Sequence, residues 1–533
     1  MTRRIFLLLV FVIALGLRLY GVNWDNGFHL HPDERAIHMV SDSISLFSQL
    51  NPRFFNYGSL PIYLLSGSAQ LIDHISESSS FASYNGYLIL GRLLSVGFDL
   101  TTLSFVIMIA QLLSKNWRVS IFSGFFYAIA FFPIQNSHFY VVDVLLNLLA
   151  IAVIYLLIRY YLTRRLIWIF LISITSAAII ATKFTGVIFV LVVFSALVLL
   201  SRKSLRYVLI YSILSSITFF LFMPYAFLDF TTFKRDIMLQ LTMNSDPYIF
   251  PYTLQYVSTL PYFYYLKNIF LWGLGPFISI ASLYGFISFS AKIKKYNLKP
   301  IFPFILFFTF YFLYFLIVGR SETKFMRYLL PLYPFFCLFA GMGLYDFYKS
   351  RFFTSRLIFL VIIAGSLLWT FAFVNIYRTK HTRIQATDWI INNIKQGSTL
   401  AVEHWDDRLP LTNSDKFLFE ELPFYERPDD EEKWKKIRER LAKSDYIIIA
   451  SNRLYTPLQK LSDCNKYRSC YPLTARYYRD LFSEKLPFKK IAEFTSYPKL
   501  TLGAWKLEIN DDSADESFTV YDHPKIIIFQ RSR

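Results

Sequence analysis

Just past the first apolar run of the chain (residues 5–20), His31-Pro32-Asp33-Glu34 sets two carboxylates side by side. A carboxylate at such a place can serve as a general base, taking the proton of a hydroxyl as its oxygen attacks an electrophile. The same letters also describe an ordinary helix start, since Pro32 suits a first helical position and acids in a first turn complement the helix dipole. Ile37, Val40, Ile44 and Phe47 recur at helical spacing beside Ser41, Asp42 and Ser45, which predicts an amphipathic helix lying along a membrane surface. A second acid, Asp143, closes the stretch 132–143 where apolar sequence resumes, and reads either as a helix cap or as a group facing a wet cavity. His138 lies in the same stretch. The cations are Lys183 in Ala181-Thr182-Lys183-Phe184-Thr185-Gly186, then Arg320, Lys324 and Arg327 in the run 319–328, with Arg92 at the outer end of the second apolar run. Arg and Lys gathered outside a membrane suit a phosphate; pairing with Glu322, Asp33 or Asp143 is the competing use.

The elements that position these groups are membrane segments. Hydrophobic residues make up 55% of the chain and charged ones 17%, with mean hydropathy +0.39, which excludes an ordinary soluble protein. Apolar runs at 5–20, 84–113, 119–132, 144–162, 166–181, 187–200, 207–222, 268–290, 301–318, 328–345 and 357–377 predict about eleven helices, the fifth and sixth being short and close together. Basic residues cluster in alternate connections, at Arg3 and Arg4, Lys115 and Arg118, Arg164 and Arg165, Arg202 with Lys203 and Arg206, Lys292 with Lys294, Lys295 and Lys299, and Lys349 with Arg351 and Arg356. Those ends are expected in the cytoplasm, together with the N-terminus, while the loop 21–83, Asp143, Lys183, Asp229, Arg320 and the tail face outward across a plasma (inner) membrane. Much of the +18 net charge is this topological bias, so nucleic acid is not an expected partner. Residues 5–20 continue apolar to Tyr20, which favours an anchor over a cleaved signal peptide.

From Arg378 the composition turns charged, and residues 381–533 are expected to form an extracytoplasmic α/β domain attached to a helical domain, 1–380. Helices are predicted over 383–394, 430–443 and 475–484, and strands over 398–404, 446–450 and 525–530. The tail has no glycine-rich phosphate loop. Cys464 and Cys470 lie where the compartment permits a disulfide, and their pairing is left open; Cys337 reads as a packed apolar residue. The loop 223–265 is rich in Tyr and Phe, which serve as interfacial anchors or as platforms for a sugar or lipid chain.

The ordered set of an acidic pair in the first outside loop, a second acid after the third crossing, the ATKFTG turn and the segment KFMRYLLPLYP resembles the GT-C superfamily of polytopic glycosyltransferases. Within it the protein O-mannosyltransferase and aminoarabinose transferase branch, dependent on a phospholipid carrier, is the most similar. The resemblance covers about residues 1 to 380 and implies a GT-C helical fold. It also implies transfer of a hexose or pentose from a polyprenyl-phosphate sugar donor to an extracytoplasmic acceptor, whether lipid, glycan or protein, with inversion. Asp33 then takes the part of general base, Glu34 that of orienting neighbour or alternate, and Asp143 that of the second acidic position; Lys183, Arg320, Lys324, Arg327 and Arg92 are implied phosphate ligands. A divalent metal held by Asp33, Glu34, Asp143 and His138 is left open, as no ligand spacing decides it. The WWDYG signature of oligosaccharyltransferases is absent, which speaks against en bloc transfer to asparagine. A transporter or flippase of a lipid-linked or anionic solute is the alternative, although the charges gather at outer helix ends and no pair of interrupted helices is evident in corresponding halves. A non-catalytic scaffold is the third reading.

Overall fold

The computed structural model describes residues 2–200, 205–293 and 298–532, so the basic positions Arg202, Lys203, Lys294 and Lys295 lie outside the described residues. The chain divides into two compact units. The first comprises Met1–Asn23, His31–Leu241 and Leu260–Val374; the second gathers Trp24–Leu30, Thr242–Thr259 and Asn375–Arg533.

The first unit is helical. It begins with α1 (Thr2–Leu19), α2 (Pro32–Asp42), α3 (Ser59–Ser76), α4 (Gly86–Ser114), α5 (Trp117–Ile129), α6 (Phe131–Ser137), α7 (Val142–Thr163), α8 (Leu166–Thr182), α9 (Val187–Leu200) and α10 (Arg206–Phe222). The helices Pro276–Ile293, Leu298–Val318, Tyr333–Lys349 and Phe353–Val374 follow. All eleven apolar runs of the sequence are therefore helical. By length and apolarity, four described helical stretches qualify to cross a membrane, five if the bent pair α5–α6 counts as one span. Five more apolar helices are 10–17 residues long.

The bend between α5 and α6 is 56° and has a local cause. Ala130 is extended (ψ 120°), and Pro133 has no N–H to offer the Ile129 carbonyl four residues back. The carbonyls so released find other donors. Arg18 of α1 reaches the Ala128 oxygen at 2.9 Å and the Tyr127 oxygen at 3.4 Å, and the Thr370 hydroxyl donates to Ile129 O at 2.6 Å. Arg18 is itself fully buried and is neutralised by Asp99 of α4 at 2.5 Å, whose other oxygen accepts from the Tyr127 hydroxyl. A helix break away from water is tolerable only when its backbone groups are satisfied in this way.

The predicted amphipathic helix is shorter than its pattern. α2 stops at Asp42, where the Ser43 hydroxyl takes the Val40 carbonyl at 2.7 Å, and Phe47 lies beyond it, fully exposed. Its apolar face turns inward: Ile37, with Ile44, packs on Ile62, Leu65 and Ala69 of α3, Tyr87 of α4, Tyr140 and Val142. α3 itself went unpredicted, although Ile62, Leu65 and Ala69 have helical spacing.

In the second unit five strands stand in the order β2-β1-β3-β7-β4: β1 (Thr399–Glu403), β2 (Leu418–Leu422), β3 (Tyr446–Ile449), β4 (Phe488–Phe494) and β7 (Ile526–Arg531), with β5 (Lys499–Leu502) and β6 (Trp505–Glu508) forming a separate pair. β1 runs parallel to β2 and β3; β7 is antiparallel to β3 and β4. Ile526 and Ile528 enter the core on one sheet face, Ile527 and Phe529 that on the other, which is why β7 reads as a continuous apolar run. The predicted helices and strands have counterparts here, among them Thr382–Asn393, Glu431–Lys443 and Pro472–Phe482, while β2 and β4 through β6 were not foreseen. Cys464 and Cys470 form a disulfide, and Cys337 is a buried free thiol.

Candidate active site

The site assembles at the start of α2. Pro32 occupies the first turn, and the His31 ring nitrogen Nδ1 accepts the N–H groups of Asp33 at 3.2 Å and Glu34 at 3.4 Å, capping the helix. Burial lowers the His31 pKa to about 4 against the pull of Asp33, so the imidazole is neutral and its lone pair is free for the cap. The cap orients the two acids that follow.

Asp33 Oδ2 meets Arg327 Nη2 at 2.6 Å. Arg327 sits in the 3₁₀ turn Met326–Leu332, over the Phe325 ring, and its Nε lies 3.7 Å from Asp143 Oδ2. Asp143 stands in the first turn of α7, and its other oxygen accepts from Lys183 Nζ at 2.8 Å. Lys183 ends α8 and places its ammonium over the Tyr328 ring, 4.1 Å from the centroid. One guanidinium thus bridges two carboxylates, and one ammonium takes the second. Side-chain exposure is 21% for Asp33, 12% for Arg327 and for Lys183, and 3% for Asp143, so Asp33 is the most exposed member of the cluster. Burial alone would push the Asp33 carboxyl up, but Arg327, the Tyr57 hydroxyl and Lys183 outweigh it and hold it below the usual carboxylate value.

The loop that carries Asp33 is pinned to the ATKFTG turn. Gly58 N–H donates to the Thr182 carbonyl at 3.0 Å, and a Cβ at Gly58 would lie 1.8 Å from the Ala181 oxygen, so only glycine permits this approach. Tyr57, the residue before it, thereby reaches Asp33.

Glu34 has a different setting. It is fully buried and takes Arg92 in a two-pronged pair, Nε–Oε1 at 3.0 Å and Nη2–Oε2 at 2.7 Å, while Oε1 also accepts the Tyr140 N–H at 2.9 Å. Arg92 Nη1 donates to the Val22 carbonyl at 2.9 Å. The sequence offered Glu34 as an acid of the chemistry and Arg92 as a phosphate ligand; the fold turns both inward, upon one another, and ties the α6–α7 connection to α2. Lys324, fully buried, donates to the Glu322 carbonyl at 3.0 Å. Arg320 is exposed in the turn after the helix Leu298–Val318, and among the described contacts none joins Arg320 or Lys324 to Asp33 or Asp143.

The four residues weighed as metal ligands do not make a ligand set. Arg327 stands between Asp33 and Asp143, Arg92 and the Tyr140 N–H occupy Glu34, and the His138 nitrogens lie 2.8 Å from the carbonyls of Ile134 and Tyr20. Among the described residues no group of three or more His, Cys, Asp or Glu is placed to hold a metal ion.

Tyr57 and Tyr328 were missed from sequence. Nothing marks them among 37 tyrosines. The chemical capacity of the site is a carboxylate open to solvent beside two cations, which suits proton removal next to an anion.

No protein-family model and no curated protein matches the chain. Among solved structures it is similar to ArnT from Cupriavidus metallidurans bound to undecaprenyl phosphate, with TM-score 0.45 and 15% identity over 73% of this chain and 72% of that one. The same protein in its apo state gives TM-score 0.48 and 13% identity over 86% of this chain and 95% of that one.

Proposed function

We propose that the protein is an integral-membrane glycosyltransferase passing a sugar from a polyprenyl-phosphate donor to an acceptor outside the cytoplasm. The observation that carries this reading is the convergence of Asp33, Asp143, Lys183 and Arg327, from four separate segments, into one cluster with bridging distances of 2.6, 2.8 and 3.7 Å. The acceptor hydroxyl oxygen attacks the anomeric carbon and Asp33 takes its proton. The bond from that carbon to the donor phosphate oxygen breaks with inversion, and Arg327 and Lys183 stabilise the charge gathering on the departing lipid phosphate. Glu34 and Arg92 act as positioning residues.

An aromatic groove supports a lipid-borne substrate. It encloses about 240 Å³ between Phe270, Phe286, Phe308, Phe312, Phe335 and Leu332, and Leu332 closes the same 3₁₀ turn that carries Arg327. One turn from Tyr311 on the groove wall, the Tyr314 hydroxyl donates to the Tyr328 carbonyl at 2.6 Å, linking groove and site. Apolar walls of this kind suit a prenyl chain.

The test is transfer by the purified full-length protein from a polyprenyl-phosphate sugar, with mass spectrometry of lipids and glycans from cells with and without it to find the acceptor. Asp33→Asn should lower transfer by about 10³-fold; transfer at the wild-type rate removes the assignment. The break between α5 and α6 is the one observation favouring a transporter, whose substrate sites use discontinuous helices. Its carbonyls are spent on Arg18 and Thr370. Solute flux in proteoliposomes without a glycosylated product would decide for the transporter.

A further inference from the structure

The charges of the cluster cancel. Asp33 and Asp143 supply two negative charges, Arg327 and Lys183 two positive ones, and each carboxylate has a cation within 2.8 Å. A phosphate arriving at Arg327 meets a place already taken, because Asp33 Oδ2 sits 2.6 Å from Nη2. Both groups want the same donors in the same geometry. We propose that Asp33 is the internal occupant of the phosphate site, so that the donor phosphate and the Asp33 carboxylate compete for Arg327, and seating the donor releases the base. This rests on the phosphate-binding reading above.

The geometry favours exchange at Asp33 over exchange at Asp143. Asp33 is the more exposed carboxylate, 21% against 3%, so an incoming anion reaches its side of the guanidinium first. Asp143 keeps Lys183 at 2.8 Å throughout and holds Arg327 by the looser Nε contact at 3.7 Å, while the Phe325 ring lies 4.9 Å from the guanidinium carbon. Arg327 is thus tethered on the inner side and can turn its outer nitrogen from one anion to another without leaving the site. The exchange replaces one negative partner of Arg327 with another, and the carboxylate it leaves behind is the more exposed of the two, so its charge is not sealed away from water.

Its consequence is an order of events. While Arg327 holds Asp33, the carboxylate is a weak base and cannot activate water or acceptor. Once phosphate has drawn Arg327 away, the carboxylate stands half-buried among Tyr57 and the His31 cap without its cation, and its affinity for a proton rises. The base is armed by the donor it serves.

The experiment measures binding of undecaprenyl phosphate, in the absence of any acceptor, to the full-length protein in lipid nanodiscs. Removing the competitor should help: Asp33→Asn is expected to bind the lipid phosphate at least about fivefold more tightly than wild type, and Arg327→Gln at least about tenfold more weakly. Asp33→Ser, which removes the charge and keeps a small polar side chain, stands in should the first variant not fold. Unchanged or weaker binding on removing Asp33, with Arg327→Gln still weakened, overturns the competition and leaves the phosphate reading intact. Unchanged binding in both Arg327→Gln and Lys183→Gln overturns the phosphate reading and the competition together.

Discussion

Asp33 and Glu34 are covalent neighbours in one helical turn under one histidine cap, yet they end in opposite settings. Asp33 shares Arg327 with a second carboxylate and keeps 21% of its side chain open. Glu34 holds Arg92 in a two-pronged pair with no exposure on either side. A cation whose acid is partly exposed can be exchanged; a sealed pair cannot be parted without stranding a charge away from water. On the proposed function, the first acid does the chemistry and the second holds the fold.

The largest expected effect lies on the open side. Asp33→Asn should lower transfer by about 10³-fold, within the range for loss of a general base, and leave thermal unfolding near wild type. Should unfolding shift as far as it does for a Glu34 variant, the two acids are alike and the contrast fails. On the sealed side, Arg92→Met should cost about 3–5 kcal/mol of stability by leaving Glu34 buried and unpaired. Pairing it with Glu34→Leu should recover much of that, though the Tyr140 N–H then loses its acceptor. Denaturation of the full-length protein in nanodiscs reads both.

How much of this was legible depends on what fixes each feature. The apolar runs and the strands β1, β3 and β7 follow from hydropathy and burial, which sequence carries directly. β2, Leu-Phe-Glu-Glu-Leu, and β4, Phe-Lys-Lys-Ile-Ala-Glu-Phe, are the two edges of the sheet, and the charges that protect an exposed edge also hide it from a hydropathy pattern. Asp33, Asp143, Lys183 and Arg327 were each visible as candidates, but so were Arg92, Arg320 and Lys324. Which cation meets which acid is settled over separations such as the 58 residues between Glu34 and Arg92, and no local pattern encodes that. Tyr57 reaches Asp33 only because Gly58 lets the loop close on the ATKFTG turn.

A sealed cluster in the second unit extends the comparison to pH. His523 is buried with Nε2 2.9 Å from Asp511 and Nδ1 on Asp522, so both nitrogens donate and the ring is an imidazolium. Burial would lower its pKa, but Asp522 and Asp511 raise it to about 10. A folded-state value above the unfolded one means stability that is full below about pH 6.5 and is lost as pH rises through about 10, by at least about 2 kcal/mol. Glu403, raised by burial to about 8, acts in the same direction over a lower window, from about 4.5 to 8. Thermal unfolding of the full-length protein from pH 6 to pH 10, repeated for His523→Gln and Glu403→Gln, separates them: the first should flatten the upper part of the decline and the second the lower. A decline untouched by His523→Gln would mean that this cluster does not hold its charge.

The smallest effect probes the open acid most finely. The Tyr57 hydroxyl lies by Asp33 and, after burial and the nearby charges, helps hold its proton affinity down. Tyr57→Phe removes that hydroxyl and keeps the ring, so stability should change by only about 1 kcal/mol. Because the hydroxyl favours the ionised carboxylate, its loss raises the Asp33 pKa, and the acid limb of the pH–rate profile should move to higher pH while the neutral-pH rate falls less than about tenfold. The alkaline side of the profile should stay where it is, since the substitution leaves Lys183 on Asp143. A merely structural tyrosine would lower the rate at every pH alike, and that uniform loss would place Tyr57 with Glu34, among the residues that hold the site and take no part in its protonation.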